Sequence, residues 1–246
     1  TLRNAAGQII LTVDYKDSGG WPVAADGAGS TLELVSPYGD PDDAANWVAS
    51  GQAGGTPGTA PTPAAPSAIR LSEIMAENLG AVNNSGTFPD WIELQNTSGA
   101  PVNIAGWSVS NDGDPRKFVI PANTTIPAGG FLVIWGDAAT NTSPGLHSGF
   151  ALDRANDNVF LYNPATNRVD AIGFGPQLAN QTIGIVGGEW QLNQPTPNAP
   201  NQAAAITPAW ALSINEWLAN ALPGLPDWIE LYNSSALPVP LKGCYL

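Results

Sequence analysis

With 246 residues, a formal net charge of −13 and only 8 Lys and Arg, the chain has too little positive charge to hold a phosphate backbone, which excludes nucleic acid as a partner. A low content of charged residues beside 27 Gly and 23 Pro points to short strands and tight turns, not long helices. One cysteine, Cys244, and one histidine, His147, allow neither an internal disulfide nor a Cys/His metal cluster. No run approaches the roughly 18 apolar residues of a membrane span. Thr1-Leu2-Arg3-Asn4 carries no signal pattern, so any signal or anchor is expected outside this segment.

In chain order, the opening residues and 30–35 read as extended, with a short helical turn near 42–47. Residues 51–68 are rich in Pro, Gly, Ala and Thr without hydrophobic period and read as a semi-extended linker. Short strands follow at 70–78, 91–96, 102–110, 117–121, 131–135, 159–162, 168–174 and 182–186, each bounded by Gly, Pro, Asn or Asp. Gly129-Gly130 and residues 163–167 look like hairpin connections. Residues 193–208 then read as a second linker. Eight short strands with regular turns predict an all-β, antiparallel sandwich.

The chain also repeats itself out of phase. Pro89-Asp90-Trp91-Ile92-Glu93-Leu94 returns as Pro226-Asp227-Trp228-Ile229-Glu230-Leu231, and Glu73-Ile74-Met75-Ala76 parallels Glu216-Trp217-Leu218-Ala219 with a connecting loop six residues shorter. Leu2, Asn4, Ala6, Ile10, Val13 and Tyr15 align with Leu161, Asn163, Ala165, Val169, Ile172 and Phe174. Long-period self-similarity means tandem modules. The predicted organisation is the closing part of one module at 1–58, a linker at 59–68, a complete module at 69–200, a linker at 201–210 and the opening part of a further module at 211–246.

The strings Glu-Ile-Met-Ala-Glu-Asn at 73–78, Asp-Trp-Ile-Glu-Leu-Gln-Asn at 90–96 and Val-Asn-Ile-Ala-Gly-Trp-Ser-Val at 102–109 together resemble the lamin-tail domain, in its bacterial branch since no coiled-coil heptads precede them. The stretches at 126–135 and 157–163 resemble it too. The resemblance implies an immunoglobulin-like β-sandwich, found in many bacterial secreted or surface proteins, with no fixed partner.

Among candidate site residues, Asp90 with Glu93 and Asp227 with Glu230 are tempting carboxylate pairs. Residues three apart on a strand face opposite ways, so they cannot share one proton. The structural reading puts Trp91 and Glu93 on one face and Ile92 and Leu94 on the core face, with Asp90 capping a turn; Trp228 repeats Trp91. Asp112 and Asp114, with Asp153 and Asp157, lie in acidic turns that are the candidate calcium ligands, although no complete twelve-residue calcium loop is present. No other cofactor is implied. His147 has no nucleophile elbow near it in sequence, and no enzyme is expected. The nine tryptophans suit core packing better than a sugar platform.

The expectation is therefore a non-catalytic extracellular structural or adhesive module of a multidomain bacterial secreted or surface protein, partnered by neighbouring modules or other surface proteins. The alternative is an accessory module of a secreted hydrolase that binds polysaccharide or the cell envelope. Open sheet edges in the end modules also predict self-association through residues 1–60 and 212–246, although these lack the counterpart of roughly 111–159.

Overall fold

The computed structural model describes residues 1–16, 19–36, 38–61, 67–138, 143–222, 224–241 and 244; positions 62–66 of the expected 59–68 linker lie outside these. They form two compact units, Thr1–Ala203 and Ala204–Leu246. The division falls inside the 201–210 stretch, and none falls at 59–68.

The leading segment supplies β1 (Leu2–Arg3), β2 (Ile9–Leu11), β3 (Leu32–Leu34) and β4 (Trp47–Ala49), paired as two hairpins, β1 with β2 and β3 with β4. The helical turn read near 42–47 is a 3-10 turn at Ala44–Asn46, capped by Asp43, which accepts from the Ala45 amide at 2.9 Å.

The central module follows with β5 (Ile69–Met75), β6 (Asp90–Asn96), β7 (Val102–Asn103), β8 (Ser108–Ser110), β9 (Phe118–Val119), β10 (Thr125–Ile126), β11 (Phe131–Gly136), β12 (Leu146–His147), β13 (Asp157–Tyr162), β14 (Arg168–Phe174), β15 (Thr182–Val186), β16 (Glu189–Gln194) and β17 (Gln202–Ala203). The larger sheet runs β12-β11-β6-β5-β15-β16-β17, the smaller β14-β13-β8-β9, and β10 pairs with β7 alone. Among the described residues, pairing is antiparallel except between β11 and β12. The run at 102–110 is broken into β7 and β8 where Gly106 takes φ +79°, a conformation only glycine adopts freely.

The sandwich core sits between the sheets. Leu71, Ile74, Ile92, Leu94 and Ile134 from the larger sheet meet Val109, Val159, Leu161 and Ile172 from the smaller, all buried. Leu71 and Ile74 both face this core although three residues apart, because the β5–β6 register shifts between Leu71 and Glu73. Leu71 stays opposite Leu94 and Glu73 comes opposite Glu93, so Ser72 is the extra residue of a bulge.

The leading segment docks on the other face of the smaller sheet. Ala24 and Ala28 pack with Phe160, Tyr162 and Ala171. The buried Arg168 guanidinium donates to Ala28 O at 3.0 Å, to Ser30 Oγ at 2.5 Å and to Ser50 O at 3.4 Å. Residues 193–208 are not a free linker over their whole length. Asn193 and Gln194 end β16, and β17 folds back to pair with them.

The second unit is a hairpin of β18 (Leu212–Leu218) and β19 (Trp228–Asn233) behind a 3-10 turn at Ala209–Ala211. Its register places Glu216 opposite Glu230, with a shift between Ile214 and Glu216. The bulge of β5 therefore recurs at the equivalent position.

Candidate functional site

Alternation along β6 divides Trp91 and Glu93 from Ile92 and Leu94, while Asp90, expected to cap a turn, instead begins the strand and reaches the loop before β13. Ile92 and Leu94 enter the sandwich core, whereas Trp91 packs with Met75 and Val133 on the opposite face of the larger sheet. Asp90 accepts from the Leu152 amide at 3.2 Å and pins the loop before β13; burial pushes its carboxyl upward.

Glu93 does not meet Asp90. Its neighbour is Glu73, directly opposite on β5, and both side chains are fully buried. A strap formed by residues 195–201 closes over them. Thr182 donates its hydroxyl to Glu73 Oε1 at 2.5 Å, and Thr196 donates its amide to the same carboxylate at 3.2 Å and its hydroxyl to Oε2 at 2.9 Å. The Asn198 amide donates to Glu93 Oε2 at 2.5 Å. Asn198 itself holds φ +63°, in the left-handed region. Asn201 fastens the far end of the strap by donating to Ser72 O at 2.7 Å and Ile185 O at 3.1 Å. Gly184 leaves the space this needs, since a Cβ there would collide with the Asn193 amide.

Burial raises the Glu73 carboxyl and, with the charge of Glu73 added, pushes Glu93 to about 8. At neutral pH the clasp therefore holds Glu93 mainly as the neutral acid. Sequence reading missed this pair by looking along one strand instead of across two. The signal was present in the repeat, since Glu73 recurs as Glu216 in step with Glu93 and Glu230.

Asp112, Asp114, Asp153 and Asp157 each have an occupant. Lys117 Nζ lies 2.7 Å from Asp112 Oδ2, and this partner pulls the exposed Asp112 carboxyl down to about 2. Asp114 accepts from the Arg116 amide at 2.9 Å and Asp153 from the Ala155 amide at 2.8 Å. Asp157 accepts from Asn111 Nδ2 and from the Asp153 amide, both at 3.0 Å. Among the described residues, no group of three or more His, Cys, Asp or Glu is placed to hold a metal ion.

His147 Nδ1 lies 2.5 Å from Asp137 Oδ1, an orienting contact that a base could use. Its other nitrogen, Nε2, is buried without a hydrogen-bond partner, and Ser148 Oγ donates instead to Phe150 O at 2.8 Å. An open cleft of about 650 Å³ at one end of the sandwich is lined by Asp90, Asp153 and Asp157, with Arg154 paired to Glu77 at 2.8 Å.

Residues 62–176 match the family model described as Lamin Tail Domain. The central module is a lamin tail domain. The match includes both clasp glutamates and ends before β15, so the strap that covers them lies beyond it. Lamin tail domains are immunoglobulin-like, generally non-catalytic modules, in keeping with carboxylates sealed inside the fold. No curated protein matches the chain. No helix among the described residues is long and apolar enough to cross a membrane.

Proposed function

We propose that this lamin tail domain is a non-catalytic structural or adhesive module of a bacterial extracellular or surface protein, built as a tandem array that tethers or presents other domains. The observation that carries the reading is the fate of the motif carboxylates. Glu73 and Glu93 hold the exit strap and are closed to any substrate. The docking of residues 20–50 through Arg168 supports it, because it joins the leading segment firmly to the next module.

Assay of the full chain on ester, glycoside and phosphodiester substrates tests this directly. No turnover is expected, and activity lost on changing His147 or Asp137 would overturn it. The alternative, an accessory module of a secreted hydrolase, draws on the exposed Trp210, Trp217 and Trp228 of the second unit. Their positions argue against a sugar platform, since the counterparts of Trp217 and Trp228 are the buried Ile74 and Trp91. Retention on cell-wall or polysaccharide resin that is lost in a Trp210→Ala, Trp217→Ala variant would favour the accessory role.

A further inference from the structure

The clasp of the lamin tail domain seals two carboxyl groups with little above them. None of residues 195–201 is itself buried, and none of residues 195–203 belongs to the core between the sheets. Pro195, Pro197 and Pro200 have no N–H to give, while the amides of Thr196 and Asn198 both go to the glutamates. Beyond these bonds and the Thr196 hydroxyl, the strap is tied down by the Asn201 side chain and the two residue pairs of β17. Freeing it therefore takes nothing out of the sandwich core.

The two carboxyl groups beneath are unevenly served. Glu73 receives the Thr182 hydroxyl and both donors of Thr196, whereas Glu93 receives the Asn198 amide with lesser help from the Ser72 hydroxyl. Among the described residues no ion pair reaches either of them. On this face of the larger sheet β5 also carries Arg70, which turns to Gln95 at 2.7 Å, and β16 carries Glu189, which accepts from the Gly19 amide at 2.9 Å. β11 and β15 present no titratable side chain there, β12 beyond them holds His147 against Asp137, and the strap has no charged residue. An ionised Glu93 would thus face Glu73 in a site closed to solvent, and burial accordingly pushes its carboxyl to about 8.

We propose that the proton on Glu93 is the latch of the exit strap: while Glu93 holds it the strap lies closed, and its loss lifts residues 195–201 from the sheet with the sandwich still folded. Once lifted, the strap readmits water to Glu93, which then ionises around its ordinary 4.5. The closed form therefore binds a proton that the open form gives up. Between about pH 4.5 and 8 the open population rises about tenfold per pH unit; above about 8 both forms are ionised and the rise stops. Glu73, also raised by burial, adds to the effect with the same sign. The latch lies inside the fold and stands whether the module tethers or binds polysaccharide, so retention and turnover assays test that reading separately.

Hydrogen exchange of the full chain from about pH 6 to 9, corrected for the intrinsic pH dependence of amide exchange, is the experiment. Protection of the Thr196 and Asn198 amides is expected to fall about tenfold per unit up to about pH 8 and to level off beyond. The Leu94 and Leu161 amides of the core strands are expected to stay better protected throughout. Glu93→Gln keeps a neutral side chain and is expected to flatten the fall at the strap. Thr196→Val removes only the hydroxyl to Glu73 and is expected to lower strap protection at every pH while keeping the wild-type slope. Wild-type strap protection that does not change with pH, strap amides that exchange in step with the core, or a Glu93→Gln chain that keeps the wild-type slope would overturn the proposal.

Discussion

Two hairpins in this chain carry nearly the same string and the same register, and they differ in what lies over them. In β5–β6 the apolar positions enter a sandwich core on one face and a tryptophan cluster under a strap on the other. In β18–β19 the matching Ile214, Trp217, Trp228, Ile229 and Leu231 are exposed, as are Glu216 and Glu230. The sequence string and its bulge set the strand pairing, while tertiary cover sets the chemistry. A two-stranded hairpin has little stability alone. Under that cover burial pushes Glu93 to about 8, whereas Glu230 stands exposed.

The largest test of that contrast is Trp91→Ala against Trp228→Ala. The first is expected to cost about 3–5 kcal/mol in urea unfolding of the sandwich, the range for emptying a buried aromatic site. The second is expected to cost under about 0.5 kcal/mol. Equal effects would break the comparison.

Glu93→Gln against Glu230→Gln sharpens it through pH. Glu93 has a folded value of about 8 against an ordinary 4.5, so between these limits the folded chain binds the extra proton. Its stabilisation is fully present below about 4.5 and is lost as pH rises through about 8, with a slope of up to about 1.4 kcal/mol per pH unit. Asp170, buried and pushed up to about 6, acts with the same sign at lower pH, and the raised Glu73 also acts with the same sign. Above the Asp170 range, between about pH 6 and 8, the Glu93 contribution is read as the difference between wild type and Glu93→Gln. Stability curves are expected to flatten there for Glu93→Gln and to keep the wild-type slope for Glu230→Gln.

Asn198→Ala tests the strap itself, with an expected loss of about 1–2 kcal/mol because alanine resists the left-handed conformation. Asn198→Gly is expected to stay within a few tenths of wild type in the same melts. The smallest effect is expected at the surface, where Lys117→Ala should cost under about 1 kcal/mol, and less in high salt. Asp112 would return upward from about 2 toward its ordinary 3.8. The help it gives, present above that ordinary value and lost as pH falls through about 2, would go with it. Adding calcium to wild type is expected to leave Tm unchanged, and a rise reversed by chelator would reinstate the acidic turns as a metal site.

Much of this was legible in the residues. Alternation put Ile92 and Leu94 in the core and Trp91 and Glu93 behind them, and Gly, Pro and Asn marked nearly every strand end. The bulge at Ser72 was hidden, because one extra residue in a strand leaves no mark in composition. The strap read as linker, since the Pro and Asn that form its left-handed turn are also what loops are made of. Arg168 gave no warning either. Its partners are two carbonyls and a hydroxyl from the leading segment, so no opposite charge flags the contact.

The way the polypeptide leaves the sandwich has a mechanical consequence. Tension applied beyond Ala203 meets first the short β17 ladder, where Ala203 pairs with Asn193 and Gln202 with Gln194. Behind that two-residue ladder the same segment is held by Asn198 and Thr196 on their buried glutamates. Residues 195–203, fully extended, span at most roughly 30 Å at about 3.4 Å per residue, and their release leaves the pairing within the two sheets untouched. The exit of the lamin tail domain is thus an extensible joint that takes up length under load before the sandwich opens.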